Sequence, residues 1–422
     1  RLLPVGDATF GVGDRQRALP GSGRSAPAVV SAAPSAVDEV LWSGPLVRVL
    51  IRRTDGSVTL RTAKGVRLWA VSGRLGRSLR AGRELGRMPA GRKVSAAIFG
   101  DTGVRCGDWA TSLRAIVIRP ETPGAAAVWV GDRRYRGEVR VLRSGQRELA
   151  VVNAVPLEAY VATVVDSEMP ATFPSAARRA QAVAARTYVL SRMVEANGHP
   201  DFDVYDDARS QRYLGFQYRA GERVLAGETS AGRAAARQTE GVVCVRNGQL
   251  LRTYYSAVCG GRTTRGAAVF RDAAALVSVP CTWCRAAALY RWHRRVALTE
   301  ASRDLAEWAR ARGADGELQD VTLVDPDHVS DRQAVPTVRV RFSHGQIDVS
   351  AADFRRLMPT LLPSPFFLVH REGTALVFDG RGSGHGVGLC QWGAAGLAKA
   401  GRTTRQILQY YYPRAALIRL TW

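Results

Sequence analysis

From residue 41 onward, short apolar runs alternate with polar punctuation. Segments 46–51, 58–62, 66–71 and 113–118 are β-branched, alternate in polarity and are broken by Gly and Asp. That pattern predicts strands with one buried face. Segments 126–130, 137–142 and 149–152 extend it. At Pro156 the period changes. Leu157, Tyr160, Val161, Val164 and Val165 recur at helical spacing. A second helix is predicted after Pro174, with Ala177, Ala180, Ala184 and Tyr188 on one side and an end near Gly198. Strand patterns return at 241–245, 249–256, 321–324, 337–342 and 375–378, and helices are predicted over 299–312 and 394–411. Residues 1–40, rich in Gly, Ala, Pro, Ser and Arg and without a period, read as a flexible tail or linker. The predicted class is α+β: a β-rich lobe over 41–134, then a mixed α/β region with a cleft over 135–422.

A chain of 422 residues exceeds one ordinary core, which agrees with more than one lobe. The formal net charge of +23 comes almost wholly from Arg, since Lys64, Lys93 and Lys399 are the lysines. Two readings of that bias stand side by side: a GC-rich coding background, and attraction to a polyanion. The arginines are dispersed and no nucleic-acid-binding motif is present, so nucleic acid is not an expected partner. No run of about 18 apolar residues occurs, so no spanning helix is predicted. An export signal is not visible in this chain, which begins at Arg1.

Two stretches carry candidate chemistry. In the first, two predicted helices flank the break Asp166-Ser167-Glu168-Met169-Pro170. A carboxyl lodged between an apolar helix end and Met169-Pro170 would be partly desolvated, which raises its pKa and suits it to protonate a leaving oxygen. The plainer alternative is a Glu168 that complements a helix dipole. In the second, residues 380–393 read GRGSGHGVGLCQWG, with glycine at every second position around His385. Such a loop permits close backbone approach to a ligand, with His385 and Gln391 as hydrogen-bonding groups, or else it is a tight turn against a helix. The spacing matches neither a P-loop nor a dinucleotide fingerprint.

Cys259, Cys281 and Cys284 supply three soft ligands, and His293 or Cys244 could complete a structural zinc site. A disulfide from Cys259 to Cys281 or Cys284 is an equal alternative, as are buried thiols. Trp283, Trp292, Trp308 and Trp392 are candidates for stacking on sugar rings or for core packing.

Read together, several motifs resemble one family. They are Tyr135-Arg136-Gly137, VVNAVPLEAYVATVVDSEMP, RRAQAVAARTYVL, SQRYLG at 210–215, YYSAVCGGRTT at 254–264, and GRGSGHGVGLCQWGAAGLAKAGRTTRQILQYYYP from Gly380. In that order they are similar to the SpoIID/LytB family of sporulation protein D and the amidase enhancers, over residue 135 to the C-terminus. The resemblance implies a peptidoglycan lytic transglycosylase of the cell envelope, acting on peptide-free glycan strands and requiring no cofactor. Its catalytic acid falls on Glu168. Gln181, Arg186, Gln211, Tyr213, Ser256, Gly260, Gly261, His385 and Gln391 would line or shape the cleft. The amidase-enhancer branch implies the alternative of a non-catalytic wall-binding partner of an amidase. A hydrolase would need a second acid, for which Asp166, Asp206 and Asp207 are candidates. Where some members hold zinc through a His and Cys cluster before SQRYLG, this chain keeps His199 but has Tyr205 and Ser210 at the cysteine positions.

Overall fold

The computed structural model describes residues 2–4, 44–72, 82–194 and 199–422. Of the tail expected over 1–40, only the strand Leu2–Pro4 is described, paired antiparallel with Ala416–Leu420; the rest lies outside the described residues. The class is α+β. Two sheets carry the first half of the chain. One runs Val204–Tyr205, Leu46–Thr54, Leu149–Pro156, Glu138–Arg143, Ala115–Pro120, Val66–Val71, Arg83–Met88. The other runs Arg223–Ala226, Gln217–Ala220, Arg133–Arg136, Ala126–Val130, Val58–Thr62, Lys93–Phe99, Gly103–Cys106, Trp109–Thr111. Alternating residues of both, such as Val47, Leu60, Ile118, Val128 and Val141, share one core. The strand Arg133–Arg136 runs across position 134–135, and strands from both sides of that position join both sheets.

Leu149–Pro156 is buried at every position, which a half-buried strand would not be. Pro156, with φ −55° and no N–H to leave unpaired, turns it directly into helix α1 (Leu157–Glu168). Every residue of α1 except Asp166 and Glu168 is buried, so the helix is part of the core rather than a covering. Helix α2 (Ser175–Val194) follows, and the end expected near Gly198 lies outside the described residues. Its small residues Ala177, Ala180 and Ala184 are fully buried and let neighbouring helices approach closely. Helix α3 (Ser230–Gln238) packs on α1 and α2.

Beyond residue 290 the chain builds a further core. Helix α4 (Leu298–Arg310) and a second helix, α5 (Ala351–Leu357), cover strands that include Trp292–Ala297, Thr337–His344 and Ala375–Gly380. The chain then returns to α2 through two helices. The single helix predicted over 394–411 is divided into α6 (Gln391–Lys399) and α7 (Thr404–Tyr411). The division has a local cause. Gly401 takes φ +80°, and Thr403 with Gln406 closes a capping box that starts α7 afresh. Among the described residues no helix is long and apolar enough to cross a membrane.

Candidate functional site

The break after α1 distributes three consecutive side chains to three tasks. Asp166 pairs with Arg178 and accepts from Thr229 N at 2.6 Å and Thr229 Oγ1 at 3.0 Å, which ties α1 to α2 and to the start of α3. Ser167 Oγ accepts from Leu214 N at 3.2 Å. Glu168, the last residue of α1, turns its carboxyl toward the SQRYLG segment, and Arg212 N donates to Oε1 at 2.7 Å.

This placement overturns the helix-dipole alternative. Glu168 stands at the negative, C-terminal end of α1, whose last turn holds no basic residue, while α2 begins only at Ser175. A carboxylate there is opposed by the dipole rather than complementing it. Burial raises the Glu168 pKa, opposed in part by the Arg212 N–H and by donors from Gln391 and Tyr255. The side chain is nonetheless only half-buried, so the acid remains reachable.

A directed chain of hydrogen bonds backs the carboxyl. Tyr160 OH donates to Gln211 Oε1 at 2.9 Å, Gln211 Nε2 donates to Tyr255 OH at 2.9 Å, and Tyr255 OH reaches Glu168 Oε1 at 3.4 Å. Because the amide occupies the lone-pair side of Tyr255, the phenolic proton is left to point at Glu168. Tyr255 was not singled out by the sequence reasoning. A tyrosine in an apolar run gives no signal until Gln211 and Glu168 meet in space.

The other predicted residues fall into two groups. Gln391 and Gln181 meet at 3.4 Å, and Gln181 Nε2 and Ser256 Oγ are buried without a protein hydrogen-bond partner. Gln181 is fully buried behind Gln391, and Ser256 follows Tyr255 in the strand paired with Leu389–Cys390. His385 is neutral: burial pushes its pKa down to about 4, while Val387 N donates to Nδ1 at 3.1 Å. Its remaining ring N–H faces the Tyr255 carbonyl, so His385 steadies the tyrosine's backbone instead of carrying a proton to a substrate. Gly260 and Gly261 have φ of +73° and +121°, and a Cβ on Gly260 would lie 2.7 Å from Gly382 N. They lock the loop at 259–261 against the glycine loop.

Arg186 and Tyr213 do not reach the cleft. Arg186 is fully buried in a two-pronged pair with Glu158, Nε to Oε1 at 2.7 Å and Nη2 to Oε2 at 2.5 Å, and donates further to the carbonyls of Val242 and Ala236. Tyr213 is buried between the rings of Tyr135 and Tyr160 and donates to Asn153 Oδ1 at 2.7 Å. Both brace the elements behind Glu168. The candidate second acids are also committed elsewhere, Asp166 to Arg178, Asp206 to Arg133 and Asp207 to Arg209. Of the tryptophans, Trp292 is core, donating to Gly382 O at 2.9 Å. Trp392, next to Gln391, is half-buried and packs edge-on against Phe173.

The cysteine expectation needs a correction. Cys259, Cys281 and Cys284 do come together, but the fourth sulfur beside them is Cys390. His293 is exposed and bound to Asp379 at 2.9 Å, and Cys244 lies in the strand Val242–Arg246, outside the cluster.

Comparison with known proteins bears on the whole arrangement. The model of the stage II sporulation protein family matches residues 145–245, which include α1, Glu168 and the SQRYLG segment. An uncharacterised protein of Brachyspira hyodysenteriae is 32% identical over 269 residues, 63% of this chain and 67% of its own. Stage II sporulation protein D of Bacillus subtilis is 29% identical over 271 residues, 62% of this chain and 74% of its own. The chain belongs to the SpoIID/LytB family. The amidase enhancer of B. subtilis is a further relative, 25% identical over 295 residues, covering 60% of this chain and 39% of the enhancer. A domain of unknown function matches residues 283–388, the segment that builds the core beyond residue 290. In this SpoIID/LytB chain that segment begins after the CGG motif at 259–261 and runs through the GHG motif at 384–386, and both motifs pack around the strand that carries Tyr255.

Proposed function

We propose that this protein is a cell-wall lytic transglycosylase that cuts the MurNAc–GlcNAc bond with Glu168 as its single acid and base. The observation that carries the reading is a reachable carboxyl with a raised pKa, held by directed donors and, among the described residues, without an arginine paired to it, while Asp166, Asp206 and Asp207 are each ion-paired to an arginine, although burial raises Asp206 as well. A raised pKa favours the protonated form of Glu168, the form that can serve the glycosidic oxygen.

In the first step that proton passes to the bridging oxygen, the C1–O bond breaks and positive charge develops at C1 of the muramic ring. Glu168 is now a carboxylate and is stabilised by the donors at its oxygens, Arg212 N–H and Tyr255 O–H. It then takes the proton of the C6 hydroxyl, O6 attacks C1, and a 1,6-anhydro ring closes. Glu168 ends protonated and no water is consumed. One residue therefore serves both halves of the reaction, unlike two-carboxylate hydrolysis.

Digestion of amidase-treated, peptide-free glycan strands followed by mass spectrometry tests this. Anhydro-muramyl ends are expected. Reducing muramic acid ends would make the enzyme a hydrolase, and binding without any product would favour a wall-binding enhancer of an amidase, as the name of the B. subtilis relative has it.

Tyr255→Phe isolates the backing chain. Loss of its O–H removes a donor to the carboxylate, so the Glu168 pKa rises further. The alkaline limb of the activity profile, set by loss of the acid proton, is expected to move to higher pH, with kcat reduced about tenfold. An unmoved limb would mean that Tyr255 does not act on Glu168.

A further inference from the structure

Four cysteines from three separate stretches, Cys259, Cys281 with Cys284, and Cys390, bring their sulfurs within 4.8 Å of one another, and all four are buried. Cys259 Sγ and Cys284 Sγ are 3.6 Å apart, and Cys281 Sγ and Cys284 Sγ 3.9 Å. A sulfur–sulfur bond requires about 2.05 Å. Tetrahedral ligands on bonds of about 2.3 Å stand about 3.8 Å apart. Two of the sulfur–sulfur distances thus match thiolates on one ion and the remaining pairs stay within 4.8 Å, tighter than a polynuclear iron–sulfur cluster, whose thiolates are spread over several metal atoms.

The surroundings suit a buried anionic centre. Cys390 caps the N-terminus of α6, and its Sγ accepts from Cys259 N and from Gly393 N, each at 3.3 Å. Tyr411 OH lies 3.1 Å from Cys281 Sγ. Gly393 leaves room for the cluster, since a Cβ there would lie 2.7 Å from Cys281 Sγ and 2.0 Å from Tyr411 OH. Arg332 is buried with its guanidinium 3.6 Å from the centre of the Phe366 ring and, among the described residues, without a carboxylate hydrogen-bonded to it; burial lowers its pKa to about 10, Arg381 adds to that, and negative charge at Cys259 and Cys284 opposes it. A buried cation of that kind offsets the excess negative charge of four thiolates on a divalent ion.

We propose that these four cysteines bind one zinc ion, and that the ion clamps the back of the Glu168 site. Soft, all-sulfur tetrahedral donors favour zinc, and a closed four-ligand set leaves no open position for catalysis. The clamp follows from the topology. Strand Tyr255–Ser256 pairs in parallel with Leu389–Cys390, and Trp392 N donates to Ala257 O at 3.1 Å. Cys390 thereby fixes the segment that carries Gln391 beside the segment that carries Tyr255, the two side-chain donors to Glu168. Cys281 N donates to Gly261 O at 2.8 Å, which adds the CxxC turn to the same knot. Cys284 and Cys390 also bracket the core formed by Trp292 through Phe378, so the ion would tie both ends of that segment to the site.

Elemental analysis of the full chain, purified after expression with zinc supplied, is expected to give about one zinc per chain. Cys281→Ser combined with Cys284→Ser should reduce this to background, and Cys106→Ala should not. Cobalt substitution should produce thiolate charge-transfer bands and intense tetrahedral d–d bands. Stripping the ion should speed amide exchange at 254–261 and 389–393 while strands 138–156 stay protected. A chain that stays metal-free after zinc dialysis with six reactive thiols, a mass two hydrogens low, or iron in place of zinc would each overturn the assignment. Uniform exchange, or none, on stripping would overturn the clamp. Should the serine variants not fold, the wild-type stoichiometry and the cobalt spectrum decide alone. None of these readings depends on glycan cleavage, so they stand apart from the test of the transglycosylase.

Discussion

Glu168→Gln is expected to lower the rate of glycan cleavage by about a thousandfold or more, while leaving glycan binding within a few-fold of wild type. The amide keeps an acceptor for Arg212 N and Tyr255 OH, so the site's geometry should survive. It has no proton to give to the bridging oxygen and cannot take one from the C6 hydroxyl, so both halves of the reaction fail together. The same variant should be more stable than wild type at neutral pH. The native state holds the Glu168 proton more tightly than the unfolded chain does, because burial raises its pKa. Stability therefore falls as pH rises from the unfolded carboxyl range through the native value, and the cost persists above both. Glutamine removes that cost at pH 7, and its advantage disappears below the unfolded pKa. Residual cleavage within tenfold of wild type would mean that another group is the acid. Loss of activity with lower stability at pH 7 would mean that Glu168 braces the fold.

The parts of this protein legible in its sequence are those in which one local pattern dictates the outcome. The strand at 149–152 and the switch to helix at Pro156, the Pro174 entry to α2 and the strands at 46–51, 58–62 and 66–71 follow from period and punctuation, and the structure has them, with the first strand running on to Pro156 and the second to Thr54. Strands such as Arg83–Met88 and Gln217–Ala220 gave weak signals, because their outward positions carry Arg and Gln and they gain order from neighbours already in the sheets. The site was legible only where chemistry sits next to a break. Glu168 is a candidate from its place at an apolar helix end, whereas Gln391 is named only as a hydrogen-bonding group of the glycine loop, Gln211 only through the family resemblance and Tyr255 not at all, since all three come from distant segments. The same limit explains the fourth sulfur. Cys390 is separated from Cys284 by the whole segment that forms the third core, and spacing within the sequence carries no record of that return. Arg186 shows the converse error. A residue in a family motif reads as a cleft residue, whereas full burial makes it a brace.

Arg186→Ala should be the most damaging single change to stability, about 3–5 kcal/mol by urea unfolding. The guanidinium is fully buried and serves the Glu158 carboxylate together with the carbonyls of Val242 and Ala236. Its removal strands the carboxylate in the core, where Gly241 N, at 3.3 Å, still donates to it. The cost arises from the uncompensated charge more than from the lost attraction, and this makes a cycle informative. Glu158→Leu combined with Arg186→Met takes both charges out of the core, and the pair should be less destabilised than Arg186→Met alone. It should still fall short of wild type, since two carbonyls lose a donor. Conserved product chemistry in the double variant, assayed at low temperature, is expected because neither side chain touches the cleft. Additive destabilisation would refute the buried-pair account, and an altered product would return Arg186 to the substrate.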